Sequence, residues 1–305
     1  MKRQILVGSR GSGLALAQAN EVVEALRELT PHHYYRVVSI KTTGDKLAES
    51  RESMFEGKGI FTKEIEESLL KGDIQLAVHS MKDLATELPS GLIVAAVPSR
   101  ADHRDALISR SHETLERLPG GATIGTSSPR RRTQLLAARG DLQVLDAHGN
   151  VDTRLRKLDH GDYDGIVLAA AGLKRLSFER RVTEFLSTKV MLPAIGQGAI
   201  AIEARESDVE TVEAVAGLED ESTRRAVEAE RAFARKLGAS CRTPIAAYAR
   251  VEGDRLAIEG MVSSSDGRKL LRAHLLSSSP RPESVGEELA EILLGKGAQF
   301  VLEAA

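Results

Sequence analysis

The chain of 305 residues has no tryptophan, one cysteine, four tyrosines and six phenylalanines. A single cysteine excludes an internal disulfide and any CxxC or Cys/His zinc pattern. So few aromatic residues argue against a base-stacking platform for single-stranded nucleic acid. Charge of one sign is also lacking: 42 Lys and Arg face 44 Asp and Glu, a formal charge of −2. That excludes a wholly basic nucleic-acid binder and leaves room for a local basic site. No apolar run approaches the roughly 18–20 residues that span a bilayer. The apolar stretch near the N-terminus ends at Gly8, too short for the core of an export signal. With one cysteine, this leads to the expectation of a reducing, cytoplasmic setting without membrane or nucleic-acid partners.

What the sequence does contain is a regular alternation. Apolar strands are expected at 4–8, 34–42, 73–80 and 92–98, with helical patterns at 14–29 and 61–72. A crossover over 99–109 leads to a second series, with strands at 122–127, 142–148 and 163–172 and helices at 129–139 and 151–161. Residues 192–205 read as a strand returning to the first sheet, which makes the first domain discontinuous. Alternating strands and helices imply mainly parallel sheets with helices on both faces. After a helix at 220–237, three extended stretches with Glu252-Gly253-Asp254 and Ser265-Asp266-Gly267 turns and a final helix at about 283–295 read as an α+β domain. The expected division is 1–98 with 199–217, 104–192, and 220–305. Residues 43–60, with three glycines and few apolar positions, read as a long functional loop.

Three segments share one local grammar, in which an apolar strand meets a tight turn with a small polar residue and then an arginine-bearing helix start. They are Gly8-Ser9-Arg10-Gly11-Ser12, Gly125-Thr126-Ser127-Ser128-Pro129-Arg130-Arg131-Arg132, and His148-Gly149-Asn150-Val151-Asp152-Thr153-Arg154. In the second, Ser128 suits the N-cap and Pro129 the first helical position. A helix N-terminus already carries partial positive charge, so arginines there are unfavourable unless an anion shares the turn. The alternative is a solvated charge cluster with capping serines. Three such turns at strand C-termini favour anion binding, because ligands of α/β sheets gather at that edge. Nucleotide motifs fail on spacing: GSRGSG is not GxGxxG, and Lys58 in EGKGI has neither the upstream glycine nor the following Ser/Thr of a P-loop. The eight histidines show no ligand spacing, so no metal is expected. Lys82-Asp83, just after a buried strand, reads equally as a structural ion pair or a working acid–base pair. Cys241, on a loop beside Arg242, reads equally as a buried small side chain or a partly activated thiolate.

Taken together, HSMKD (79–83), RADHRDA (100–106), GTSSPRR (125–131), GNVDTRLRKLD (149–159), AAAGLKRL (169–176), LPAIGQGA (192–199) and CRTPI (241–245) resemble the porphobilinogen deaminase, or hydroxymethylbilane synthase, family over nearly the whole chain. The fold implied is α/β: two periplasmic-binding-protein-like lobes with an active cleft between them, plus a C-terminal α+β domain that carries the cysteine. The chemistry implied is a transferase reaction of tetrapyrrole biosynthesis. Four porphobilinogen molecules lose ammonia and join head to tail on a dipyrromethane primer, held by a thioether to Cys241. Hydroxymethylbilane is then released to the next enzyme of the pathway.

By that resemblance, Arg10, Arg130, Arg131, Arg154 and Arg175 bind carboxylates. Ser12, Lys82, Thr126, Ser127 and Ser128 assist through hydroxyl, ammonium or backbone groups. Asp83 is the catalytic carboxylate with Lys82 beside it. Lys82, Asp83, Thr126, Ser127, Ser128, Arg130, Arg131, Arg154 and Cys241 fall to the cofactor. Arg10, Ser12, Lys58, His148, Arg175 and Gln197 fall to substrate, and the family implies a monomer. Pyrrole rings bearing acetate and propionate accumulate carboxylates as the chain grows, a load that fixed guanidinium groups match in charge and geometry. A carboxylate beside the electron-deficient azafulvene left by ammonia stabilises developing positive charge. The 43–60 loop resembles the family's lid.

Three positions depart from the family pattern. His148 stands where an arginine usually precedes Gly-Asn, and an imidazole carries less charge near neutrality. Met54 replaces a lysine found in some lids. Ala239-Ser240 replaces Gly-Gly before the cysteine, a source of strain if that turn needs a left-handed residue. Outside the family, two anion-lined lobes would also suit a non-enzymatic solute-binding protein, which would have no use for Cys241. A regulatory homologue of weak activity is the other rival.

Overall fold

The computed structural model describes residues 3–44, 61–239 and 243–303. It divides into two compact units, residues 1–101 with 199–224 and residues 102–198 with 225–305.

In the first unit, β1 (Gln4–Arg10) runs into α1 (Gly13–Leu29), and β2 (Tyr34–Ile40) follows. Then come α2 (Lys63–Lys71), β3 (Leu76–Ser80), a single 3-10 turn at Met81–Asp83, and β4 (Leu92–Ala96). The sheet order is β2-β1-β3-β10-β4, where β10 (Ile200–Arg205) is the returning segment and pairs antiparallel with both neighbours. β1 pairs parallel with β2 and β3. The residues of β3 and β10 alternate between two faces. Leu76, Val78, Ile200, Ile202 and Ala204 join Val22, Val23 and Leu26 of α1 in one core, and Ala77 joins Ile65 and Leu69 of α2 in another.

The second unit opens with β5 (Asp105–Ser109) and continues through β6 (Thr123–Gly125), α3 (Pro129–Ala138), β7 (Gln143–Leu145) and α4 (Val151–His160). It then adds β8 (Gly165–Ala169), α5 (Ala170–Arg175) and β9 (Glu184–Phe185). The order β7-β6-β8-β5-β9 repeats the plan of the first sheet, with three neighbouring parallel strands followed by one antiparallel strand. In both sheets the antiparallel strand next to the parallel trio is the one whose chain arrives from the other unit.

After α6 (Val209–Val215), α7 (Glu221–Lys236) leads to an antiparallel sheet of β11 (Ile245–Glu252), β12 (Arg255–Ser263) and β13 (Leu270–Ser277). α8 (Pro282–Gly295) and α9 (Ala298–Glu303) complete this part, and Phe233, Ile258 and Leu289 centre its core. The mixed α/β class, the two mainly parallel sheets and the C-terminal α+β part are as the sequence implied. The second unit takes in both the middle and C-terminal parts that the sequence reading separates. Leu192 packs against Ala246 and Met261, and the His103 ring stacks on Tyr248 at 3.9 Å, which ties the two parts together.

Three local expectations need correction. Asp105–Ser109, read as crossover, is a strand whose five residues are all buried. A short fully buried run gives no alternation to detect. The strand expected to reach residue 172 stops at Ala169, and Ala170 begins α5, since two alanines and a leucine carry helix propensity. Residues 192–199 are not strand, and Gly196 and Gly198 both take positive φ there. No helix among the described residues is long and apolar enough to cross a membrane.

Candidate functional site

Ser12, Lys82, Asp83, Thr126, Ser127, Ser128 and His148 lie in turns that follow the C-terminal ends of parallel strands, each within its own unit. In the first unit β1 ends at Arg10, and Ser12 caps α1 by accepting from the Ala15 N–H at 3.3 Å. The Ser12 hydroxyl is therefore committed to the helix, while the open N–H groups of the first turn remain for an anion. After β3, the 3-10 turn presents Lys82 half-buried and Asp83 exposed. Backbone bonds help pin that turn, with Met81 N–H donating to Ala199 C=O at 3.0 Å. Arg10, Ser12, Gln18, His79, Ser80 and Asp83 help line a pocket of about 50 Å³. Phe61 lies under the Arg10 guanidinium, 4.1 Å from its ring centre, and the Ser80 hydroxyl donates to Gln18 Oε1 at 3.0 Å. One cation and one carboxylate thus share a small pocket. Phe61 and Gln18 were not legible as site residues, because neither type carries a signal alone.

In the second unit, Thr126 to Ser128 follow β6. Thr126 is buried, and its hydroxyl accepts from the Ser128 N–H at 3.2 Å. Ser128 occupies the N-cap of α3 with Pro129 next, as expected, yet its hydroxyl makes no capping bond. The first turn of α3 keeps its donors for another acceptor. Asn150 caps α4 by accepting from the Thr153 N–H at 2.9 Å, and Gly149 takes φ 108°, a backbone that only glycine adopts freely.

Arg130 and Arg131 are the chief departure from expectation. Both are buried and converge on the buried carboxylate of Asp105: Arg130 Nη1 lies 2.8 Å from Oδ2 and Arg131 Nη2 2.7 Å from Oδ1. Their remaining donors reach Leu192 C=O and Val167 C=O. Burial alone would push the Asp105 carboxyl up, but the two guanidiniums overcome it and hold it at about 2. The first task of this pair is therefore structural, and any ligand carboxylate meets a cation pair already bound to one anion.

Arg154 is different. Its Nε donates to Gly149 C=O at 2.8 Å, and burial together with the like charge of Arg131 pulls its pKa down to about 10. A guanidinium desolvated beside another cation gains from an incoming anion. Nearby, Ser127 Oγ and the exposed His148 Nδ1 lie 3.3 Å apart. Arg175 falls in the last turn of α5. Gln197 is 1% exposed and its amide donates to His103 C=O at 2.8 Å, so the structure places it as a brace of the chain rather than an open contact.

Cys241, with Ser240 and Arg242, lies outside the described residues, as does the expected lid from residue 45 to 60 with Met54 and Lys58. Of the Ala239-Ser240 pair where strain was expected, only Ala239 is described, and it takes no positive φ. Gly238 supplies the left-handed residue (φ 64°) and Ala239 N–H donates to Ala234 C=O at 3.0 Å, the usual glycine-ended helix terminus.

Strand-end turns with arginine and serine, and a pocket holding a carboxylate, make an α/β protein whose sites can accept an anion and exchange a proton. Residues 5–213 match the family model "Porphobilinogen deaminase, dipyromethane cofactor binding domain", and residues 224–295 match "Porphobilinogen deaminase, C-terminal domain". The chain is 48% identical over 303 residues to a porphobilinogen deaminase of Geobacillus sp. (strain WCH70), covering 99% of this chain and 97% of that one. It is 49% identical over 302 residues to one of Desulforudis audaxviator (strain MP104C), covering 99% and 98%. The chain belongs to the porphobilinogen deaminase family. Among solved structures, the Methionine Binding Protein MetQ aligns with a TM-score of 0.43 at 14% identity, over 70% of this chain and 89% of that one.

Proposed function

We propose that this chain carries the family's transferase activity in tetrapyrrole biosynthesis: stepwise condensation of four porphobilinogen molecules with loss of ammonia and release of hydroxymethylbilane. The observation that carries the reading is the pairing of two different polar sites: a pocket with Arg10 and Asp83, and an arginine turn where Arg154 is destabilised by its surroundings. The second fits a dipyrromethane, whose carboxylates would meet Arg154, the Ser127 and Ser128 hydroxyls and the α3 N-terminus. When bound, that group supplies the nucleophilic pyrrole carbon on which the product is built. Thr126 holds the turn, and Arg131 adds charge from behind while bound to Asp105.

Asp83 works where positive charge develops on the substrate as its C–N bond breaks, and a fixed carboxylate stabilises that charge. Lys82 assists Asp83 and the cofactor, while Arg10 and Ser12 at the N-terminus of α1 hold substrate carboxylates, with Lys58, Arg175, His148 and Gln197 as further contacts. Cys241 tethers the cofactor by a thioether. The chain acts as a monomer in the cytoplasm and hands its product to the next enzyme of the pathway.

The intact mass of the purified protein tests the tether. It should exceed the polypeptide by two pyrrole units, and Cys241→Ser should remove the excess. A wild-type mass equal to the bare chain, with no ammonia released from porphobilinogen, would count for the solute-binding or regulatory readings.

His148 supplies a second expectation. A guanidinium offers a fork of donors matched to carboxylates, which an imidazole lacks. His148→Arg should therefore change the rate of late additions, read from the distribution of partly elongated enzyme forms. Unchanged intermediates would leave His148 as a partner of Ser127 alone.

A further inference from the structure

The face of the first sheet that meets α1 is apolar, but the face that meets α2 buries three ionisable side chains together. His79 on β3 is 5% exposed, Glu203 on β10 is 0% exposed and Glu66 on α2 is 8% exposed. The register explains the meeting. His79 lies opposite Ala201 and Glu203 opposite Ala77, so the two side chains share one face on a diagonal, and Nε2 of His79 reaches Glu203 Oε2 at 3.1 Å. α2 packs on β3 and β10, and its Glu66, between Ile65 and Leu69, lies within electrostatic reach of the pair. Two carboxylates and one imidazole in an apolar layer cannot all be ionised cheaply. Burial, and after it the charge of Glu203, push the Glu66 carboxyl above its ordinary value, against the opposing pulls of the Thr62 hydroxyl and then His79. One oxygen of each carboxylate, Glu66 Oε1 and Glu203 Oε1, is buried without a hydrogen bond among the described residues. Stability alone does not account for such an arrangement, since an apolar layer is cheaper.

The cluster borders the pocket described above. His79 also lines the pocket that holds Arg10 and Asp83. We propose that Glu66, His79 and Glu203 form a buried relay that stores one proton and exchanges it with the Asp83 pocket through His79. His79 is then a positioning residue for proton handling in the reaction. The inference rests on the condensation reading above. Each condensation breaks a C–N bond, whose electron pair leaves with nitrogen as ammonia, and forms a C–C bond at a pyrrole carbon that sheds one proton. Ammonia takes up one proton and departs as ammonium, so none accumulates. The relay accepts the carbon's proton by way of the pocket and returns it, ending each cycle as it began.

The charged groups facing His79 are Glu203 from β10, Glu66 from α2, Arg10 from the end of β1 and Asp83 from the turn after β3. The test is infrared spectroscopy of the cofactor-loaded wild type, Glu66→Gln and Glu203→Gln at neutral pH, read beside kcat for ammonia release against pH. A protonated buried carboxyl should show in the wild type and vanish in Glu66→Gln, and the pH limb of kcat should move in both variants. Absence of the band from the wild type, or a kcat profile unmoved in both variants, overturns the relay. Should Glu203→Gln fail to fold, the wild type and Glu66→Gln decide in the same way. The spectrum does not depend on turnover, so an inactive wild type counts against the condensation reading alone.

Discussion

Asp83→Asn should lower kcat for ammonia release by about 10²–10³-fold, the scale lost when one preorganised electrostatic group is removed from a reacting centre. The amide keeps the size and some hydrogen bonding of the carboxylate but not its charge, and the charge is what a developing cation requires. The fold should survive. Asp83 is exposed, and its turn is fixed by backbone bonds from Met81 to Ala199 C=O and from Leu84 to Met81 C=O. Exposed substitutions of this kind change stability by about 0.5 kcal/mol or less. The attached dipyrromethane mass should persist, because the proposed thioether to Cys241 and the carboxylate contacts of the arginine turn do not depend on Asp83. Circular dichroism, intact mass and ammonia release from porphobilinogen together separate loss of chemistry from loss of structure. A variant with wild-type kcat would remove Asp83 from the reaction and leave its pocket a binding feature.

That expectation was accessible from the sequence because the turn announces itself. An apolar strand ending in His-Ser followed by Met-Lys-Asp puts two charged residues where a sheet delivers them to its C-terminal edge. The same grammar marked Ser128 and Arg154 correctly as helix-start residues, since strand, small polar residue and arginine lie within a few positions of one another, while Arg10 proves to be the last residue of β1 rather than part of the turn. What stayed hidden depends on partners distant in the chain. Glu203 meets His79 across 124 positions, and nothing in either neighbourhood signals it. Asp105 stood inside a recognised motif, but its meeting with Arg130 and Arg131 needs the strand assignment that the crossover reading missed. α5 was hidden for a local reason, since alanine and leucine continue a buried strand or start a helix with equal ease.

The Asp105 cluster also has the largest expected effect on stability. Two buried guanidiniums converge on one buried carboxylate, so removing that carboxylate leaves two cations without a counter-charge. Asp105→Asn should cost about 3–5 kcal/mol, as breakage of buried ion pairs typically does. It should lower the urea midpoint in proportion, with an unchanged m-value if unfolding remains two-state. The pH dependence gives an independent check. The folded carboxyl titrates at about 2, below the ordinary value of 3.8, so its contribution is complete above about pH 4 and is lost as pH falls toward 2. That span corresponds to about 2 kcal/mol of acid sensitivity, which Asp105→Asn should abolish while lowering stability at every higher pH. Replacing all three residues with apolar ones of similar volume should recover much of the loss, because an apolar cluster carries no desolvation cost. The triple variant should nonetheless bind anions poorly, since Arg131 supplies the like charge that leaves Arg154 in need of one. Stability restored together with anion binding would show that the ion cluster serves the fold alone. Stability restored without binding would tie the buried carboxylate to the site it supports.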